Sequence, residues 1–133
     1  MRDIKFKSKR ADNGDWIFGD LVTSMYVGQD GTWIKPKYDV IIPVDEEYVC
    51  EYSGMKDRNF KEIYEGDIVN VFMDSNNPIR MYVVYEYGEW GIREKYDPTV
   101  HSLDYYTEQK QVVVISNIFD RPELLNDDDE DED

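Results

Sequence analysis

Two residue types that support nucleophilic chemistry occur once each in the chain, as Cys50 and His101. A histidine that deprotonates a cysteine makes a strong nucleophile, so the pair is the first candidate for catalysis. Cys50 alternates with Val49 and Glu51 in a predicted strand, which favours a small core residue. His101 falls in residues 95–103, which have no clear period and predict an irregular, exposed loop. A Cys–His dyad is therefore not predicted.

A second group with chemical potential is the acidic run Asp45, Glu46 and Glu47, whose oxygens suit a hard cation. The spacing matches no calcium-binding loop, so we interpret the run as a solvated turn. The chain also has no glycine-rich phosphate loop, no nucleophile elbow and no paired metal-ligand spacing. We predict no catalytic, metal-binding or cofactor-binding residues, and we expect that the protein is not an enzyme.

Composition predicts a small, folded, acidic protein. The 133 residues carry a net charge of -15, and 14% of them are aromatic, whereas disordered chains are poor in aromatic residues. The length fits one domain or two very small ones. A single cysteine fits a reducing cytoplasm. No apolar run is long enough to span a membrane, and the first residues do not form a signal peptide.

The charge is concentrated at the two ends of the chain. Residues 127–133 are all acidic and carry seven negative charges, which leaves -8 for residues 1–126. Such a block repels itself, so we predict a disordered tail at 126–133. The first ten residues are basic, with Lys5, Lys7 and Lys9 in alternation. This pattern favours a lysine-rich edge strand, and the alternatives are a phosphate-binding surface and docking of the acidic tail.

Short strands separated by turn signals fill the first half of the chain. Asn13-Gly14 predicts a hairpin between residues 4–9 and 16–23. A second hairpin is predicted around residues 29–31, between strands at 25–27 and 32–34. The remaining predicted features are an apolar run Val40-Ile41-Ile42 closed by Pro43, and a strand over residues 48–52 that places Tyr48, Cys50 and Tyr52 on one face.

The second half follows the same pattern. Gly66 can take the positive φ of a sharp turn, and the Asp67 carboxylate can accept backbone N–H groups there. We predict strands at 62–64, 68–72, 79–87 and 90–92, and a central strand at 111–119, the most hydrophobic segment. Residues 122–125 are predicted to form one helical turn, since Pro122 suits a first helical position. No long stretch has a helical period.

Three blocks of residues resemble the YopX family, small proteins encoded by phages and prophages of Gram-positive bacteria. The blocks are 4–7 with Gly19-Asp20-Leu21, residues 52–59 with 61–69, and residues 115–119 with 122–125. The resemblance implies an SH3-like, β-rich fold in a bacterial cytoplasm, with no assigned activity. The family pattern has Gly where Phe60 and Ser116 stand. Phe60 disfavours a tight turn with positive φ at that position.

The predicted architecture is all-β. It comprises an N-terminal β-hairpin region at 1–50, an SH3-like small barrel at 51–125 and the acidic tail. The residues chosen as interaction candidates, expected to report mainly on the fold, are Tyr52, Asp57, Tyr64, Gly66 and Asp67.

Three functions remain open. The first is a non-enzymatic module that self-associates and binds a host or phage protein, and we predict a homo-oligomer. The second is an acidic mimic of nucleic acid, and the third is a single-stranded nucleic-acid binder that uses aromatic and basic residues of the N-terminal half. The negative net charge argues against nucleic acid as the main partner.

Overall fold

The computed structural model describes residues 4–23, 30–74 and 77–126. The chain is mostly β, with two antiparallel sheets, as predicted. The strands are β1 (Phe6–Arg10), β2 (Trp16–Thr23), β3 (Thr32–Lys35), β4 (Ile42–Lys56), β5 (Glu62–Tyr64), β6 (Asp67–Val71), β7 (Ile79–Glu86), β8 (Glu89–Arg93), β9 (His101–Ser102) and β10 (Val112–Asn117). A short helix, α1, spans Leu103–Glu108, and a 3₁₀ helix spans Pro122–Leu125, where one helical turn is predicted.

The chain divides into two compact units, Met1–Tyr52 and Ser53–Asp133. The sequence-based boundary lies between residues 50 and 51. The predicted strand at 25–27 and the acidic tail at 127–133 lie outside the described residues. In the ranges that are described, no helix has the length and apolar character needed to cross a membrane.

In the first unit, four strands form a closed ring of hydrogen-bonded neighbours. The order is β1-β2-β3-β4, and β1 also pairs with β4. The predicted hairpin between β1 and β2 is confirmed: Gly14 has a φ of 79°, and the Asn13 side chain accepts the N–H of Asp15 at 2.9 Å. Because β1 has a partner on both sides, the prediction of a lysine-rich edge strand is wrong. Alternation identifies a strand but not its neighbours.

Lys5, just before this strand, and the strand's own Lys7 and Lys9 lie against aromatic rings. The Nζ atom of Lys7 is 4.6 Å from the centroid of Trp16, and that of Lys9 is 4.8 Å from the centroid of Tyr48. The Nζ atom of Lys5 is 5.2 Å from the centroid of Tyr52. A cation over an aromatic face is stabilised by the ring quadrupole. Part of the positive charge near the N-terminus is therefore used in cation–π contacts that stabilise the packing of the first unit.

Strand β4 is longer than predicted and corrects two interpretations. Pro43, predicted to close an apolar run, lies inside the strand opposite Trp33, and the predicted turn at 45–47 is an exposed part of it. The register against β1 shifts there, since Lys7 pairs with Cys50 but Lys9 pairs with Asp45. The extra β4 residues form a bulge, which lets a continuous strand carry a solvated acidic segment. Cys50 is buried, as predicted.

The second unit contains a five-stranded sheet in the order β10-β6-β7-β8-β9. Its core is a cluster of fully buried aliphatic side chains from the strands and α1, which includes Ile63, Val69, Met81, Ile92 and Leu103. Strand β10 lies at the end of the sheet order, so the prediction of a central strand at 111–119 is wrong. Hydrophobicity does not report strand order, and the loop before β5 contacts this edge through hydrogen bonds to Val112 and Val114.

Residues 95–103 are more ordered than predicted. His101 is in β9, half-buried, with its ring edge-on to Tyr106 at 6.3 Å between centroids, so the prediction of an exposed loop histidine is wrong. Helix α1 follows directly, and its N-cap Ser102 accepts the N–H of Tyr105 at 3.1 Å. A helix this short contains too few residues to show a 3.6-residue period, which explains why periodicity does not reveal it.

Candidate interaction surfaces

Asp57 organises the loop that covers the edge of β10. Its Oδ1 atom accepts the N–H groups of Asn59 at 2.8 Å and Lys61 at 2.9 Å, and its Oδ2 atom accepts the N–H of Val114 at 2.9 Å. The N–H of Arg58 donates to the carbonyl of Val112 at 3.1 Å. The carboxylate therefore closes the turn and satisfies β10 backbone groups that would otherwise be open to strand addition.

The Gly66-Asp67 turn has the predicted geometry. Gly66 has a φ of 87°, and the Oδ2 atom of Asp67 accepts the N–H of Tyr64 at 2.8 Å. The N–H of Gly66 donates to the carbonyl of Val83, and its own carbonyl accepts the N–H of Ile118, both at 2.9 Å. The turn thus connects β5 to β6 and ties both to neighbouring segments.

The interaction candidates from the sequence are all buried. Tyr64, Gly66 and Asp67 meet in one turn, Asp57 is in another, and Tyr52 belongs to the core of the first unit. Their contacts are hydrogen bonds within turns and packing in the interior of each unit. A partner touches surface atoms, so a binding surface consists of exposed side chains, which these residues are not.

The most exposed aromatic side chains of the second unit share an unusual backbone conformation. Phe60, Tyr87 and Tyr96 have φ angles of 67°, 55° and 71°, and their exposed fractions are 80%, 97% and 87%. The left-handed region is unfavourable for residues with a Cβ atom, and aromatic residues rarely occupy it. We call these residues the turn aromatics.

Phe60 corrects a prediction. An aromatic residue at this position disfavours a turn with positive φ, yet the turn forms with Phe60 in the left-handed region. The reason is the surrounding hydrogen bonds: the N–H of Phe60 donates to the Asp57 carbonyl at 2.9 Å, and the Asp57 carboxylate holds both neighbours. Local structure imposes the conformation, although the residue type opposes it.

The hairpin that carries Tyr87 is also shifted by one residue from its predicted place. Glu86 pairs with Glu89, so Tyr87 and Gly88 are the two central residues, both with positive φ. A two-residue turn of this kind needs positive φ at both positions. The predicted strands at 79–87 and 90–92 leave Gly88-Glu89 as the turn, one residue later than the structure has it.

The loop that carries Tyr96 is held by the next residue. The Oδ1 atom of Asp97 accepts the N–H of Thr99 at 2.9 Å, and this bond, with the Thr99 hydroxyl, holds the pKa of Asp97 below its ordinary value of 3.8. A depressed pKa means that the bond stabilises the loop above the unfolded-state pKa and is lost as the pH falls through the folded-state pKa.

We expect the Asp97 carboxyl to titrate below pH 3.8 in an NMR experiment. Thr99→Ala removes the hydroxyl but keeps the amide donor, so it should move the midpoint only part of the way back. A wild-type midpoint above 3.8 would contradict this assignment.

The first unit has an open cleft of a different character. Its volume is about 390 Å³, and it is lined by Ile4, Lys5, Phe18, Gly19, Asp20, Lys35 and Lys37. The lining contains three lysines and one aspartate, and the exposed side chains of Ile4 and Phe18 supply an apolar wall. The size is within the roughly 300–1,000 Å³ of ligand-binding clefts. We call this surface the lysine cleft.

Sequence reasoning did not identify the lysine cleft as a unit. Phe18 is one of several aromatic residues of the basic N-terminal half, and Lys35-Pro36-Lys37-Tyr38 is a basic and aromatic run that matches no known motif. Its members come together because Asp20 pairs with Lys35 in the β2–β3 ladder and Phe6 pairs with Gly19 in the β1–β2 ladder. Within the described residues, no group of His, Cys, Asp and Glu side chains is arranged to hold a metal ion.

The fold and surfaces define a mostly β protein of two units. Comparison with known proteins gives the family: a model of the YopX protein matches residues 5–126. The chain therefore belongs to the YopX family. It is similar over 95% of its length to the whole chain of the crystal structure of protein EF1440 from Enterococcus faecalis, with a TM-score of 0.59 and 18% identity. That likeness concerns the fold alone. Among curated proteins, none matches the chain.

Proposed function

We propose that the protein is a non-enzymatic protein-interaction module, encoded by a phage or prophage and acting in the bacterial cytoplasm. The observation that carries the proposal is the position of the turn aromatics, Phe60, Tyr87 and Tyr96, which are exposed on left-handed turns. Membership of the YopX family supports the phage origin. The partner is a host or phage protein, or a second copy of the chain.

The stability of the chain does not account for these side chains. A left-handed residue with a Cβ atom costs roughly 1–2 kcal/mol, and an exposed ring recovers little of this by burial. Aromatic residues are enriched in the cores of protein interfaces and supply much of their binding energy. Turns fixed by hydrogen bonds also lose little entropy when a partner binds. The turn aromatics therefore have the properties of interface anchors.

The backbone supports docking through side chains rather than strand addition. In the first unit, the ring β1-β2-β3-β4 closes, which leaves no free ladder between these strands. In the second unit, the loop around Asp57 covers β10, and β9 is only two residues long. Strand addition needs a long, open edge.

A set of asparagine variants tests the proposal. Asparagine tolerates the left-handed region better than aromatic residues do, so Phe60→Asn, Tyr87→Asn and Tyr96→Asn should each raise the free energy of unfolding by about 0.5–1 kcal/mol in urea titrations. The same variants should weaken self-association in sedimentation experiments, or capture of a defined partner from host lysate.

The matched control is Tyr38→Asn, which removes an exposed aromatic side chain of the first unit that does not have positive φ. This variant should leave the free energy of unfolding and the self-association or partner capture close to wild type. The proposal would be rejected if the triple variant of the turn aromatics kept full self-association and every partner contact.

The acidic nucleic-acid mimic is a second candidate, supported by the seven-residue acidic run at 127–133. A mimic of this kind captures basic nucleic-acid enzymes in a salt-sensitive way. Deletion of residues 127–133 should then reduce that capture strongly without lowering the free energy of unfolding. Unchanged capture by the truncated chain, and by variants with neutralised body carboxylates, would exclude the mimic.

A further inference from the structure

We propose that the lysine cleft of the first unit binds an extended acidic peptide segment of a partner protein, with one apolar side chain of that segment against Phe18 and Ile4. The proposal uses none of the turn aromatics, so it goes beyond the function proposed above.

Charge complementarity defines the occupant. Lys5, Lys35 and Lys37 line one opening, and Asp20 is the only acidic residue among the described residues of the lining. The chain as a whole carries a net charge of -15, so a positively charged cleft is a local exception. Carboxylates of an acidic peptide can pair with the exposed ammonium groups of Lys35 and Lys37.

The apolar wall makes the cleft more than a cationic patch. Phe18 and Ile4 are exposed at the opening, at 48% and 68%. An apolar side chain placed against them removes surface from water, which contributes about 25 cal/mol for each Å² buried. The combination selects a segment in which acidic residues flank a residue such as leucine.

Asp20 favours a peptide over single-stranded nucleic acid. Its exposed carboxylate can accept a backbone N–H from a peptide, whereas a phosphodiester backbone has no donor to offer and repels it. The long-range repulsion from the net charge of -15 also opposes a polyphosphate chain more than a short peptide with few carboxylates. Single-stranded nucleic acid is therefore the competing occupant that the experiment must distinguish.

Gly19 gives the cleft a defined shape. A Cβ atom at this position would collide with the carbonyl oxygen and carbon of Lys35 and with the Cα atom of Pro36. Only glycine lets the segment that carries Lys35 and Lys37 approach β2 this closely. The cationic and apolar walls are therefore positioned by backbone contact rather than by flexible side chains alone.

The test measures fluorescence anisotropy of the full-length protein with three labelled probes: a peptide of alternating glutamate and leucine, the same peptide with glutamine for glutamate, and oligothymidylate. Lys35→Gln combined with Lys37→Gln should weaken binding of the acidic peptide about tenfold. The matched control combines Lys56→Gln with Lys61→Gln, two exposed lysines of the second unit, and should retain wild-type affinity.

Supporting results are binding of the acidic peptide, a clear loss with glutamine, weakening in high salt and a further loss in Phe18→Ser. The proposal is overturned if the acidic peptide does not bind, if the Lys35/Lys37 variant binds it normally, or if only oligothymidylate binds. The triple asparagine variant of the turn aromatics should bind the peptide normally. A failure of this proposal is therefore distinguishable from a failure of the proposed function.

Discussion

Asp57→Ala is expected to lower the free energy of unfolding by about 3–5 kcal/mol, one of the largest effects of a single substitution in this chain. The Asp57 side chain is only 5% exposed and accepts three backbone N–H groups, from Asn59, Lys61 and Val114. Removing the carboxylate leaves these donors without their acceptor in a partly buried place. It also releases the loop that covers the edge of β10.

Urea unfolding followed by tryptophan fluorescence measures this effect. Asp57→Asn is the informative partner variant, because its amide oxygen can replace Oδ1 while its NH₂ group faces the Val114 donor. It should therefore lose about 2–3 kcal/mol, less than alanine but well outside error. The control is Glu108→Gln, the same chemical change on an exposed residue of α1, which should stay within about 0.5 kcal/mol of wild type.

A second consequence distinguishes the edge-covering role from simple stabilisation. With the Asp57 loop released, the N–H and C=O groups of β10 become available to another strand. Asp57→Ala should therefore aggregate faster than a core variant of equal stability, such as Ile92→Val combined with Val83→Ala. Equal aggregation rates at matched stability would contradict the edge-covering role, and a loss below about 1 kcal/mol would contradict the importance of the three bonds.

Gly19→Ala is expected to lower the free energy of unfolding by about 2–3 kcal/mol, because the new methyl group would overlap backbone atoms that cannot rotate away. The obstructing atoms belong to Lys35 and Pro36. Relief requires β2 and the end of β3 to separate, so the lysine cleft should change shape as well. Peptide affinity measured in the anisotropy experiment should fall along with stability.

Gly14→Ala is the matched control for the same chemical change. Gly14 has a φ of 79°, and a Cβ atom there would meet open space. Its cost should come from backbone conformation alone, about 1 kcal/mol, without loss of peptide affinity. If Gly19→Ala cost no more than Gly14→Ala, the close approach of the Lys35 segment would not constrain this unit.

The positions of two turns can be predicted directly from the amino-acid sequence. Asn13-Gly14 and Gly66-Asp67 form turns where the sequence predicts them, because glycine permits positive φ and the short polar side chains bond to nearby backbone. The β character followed from alternation and β-branched residues, and the short helical turn at 122–125 from a proline at its start. These signals depend only on residues that are adjacent in the chain, so they can be recognised without knowledge of the tertiary structure.

The wrong predictions concern features that depend on contacts between segments that are distant in the chain. β1 has two partners and β10 has an edge position, the reverse of the predicted arrangement, because charge and hydrophobicity report burial rather than strand order. Phe60 adopts positive φ against its own preference, since the hydrogen bonds of Asp57 impose the turn. The bulge in β4 depends on its register with β1, which local sequence does not specify.

The sequence by itself determined the class of the chain, its turns, its asymmetric charge and its resemblance to the YopX family. Only the tertiary structure decided which side chains are available to a partner. It buried the predicted interaction residues, exposed the turn aromatics and brought Lys5, Phe18, Lys35 and Lys37 to one cleft. The physical reason is that exposure and proximity depend on strand pairing between distant segments, whereas turn formation depends on a few adjacent residues.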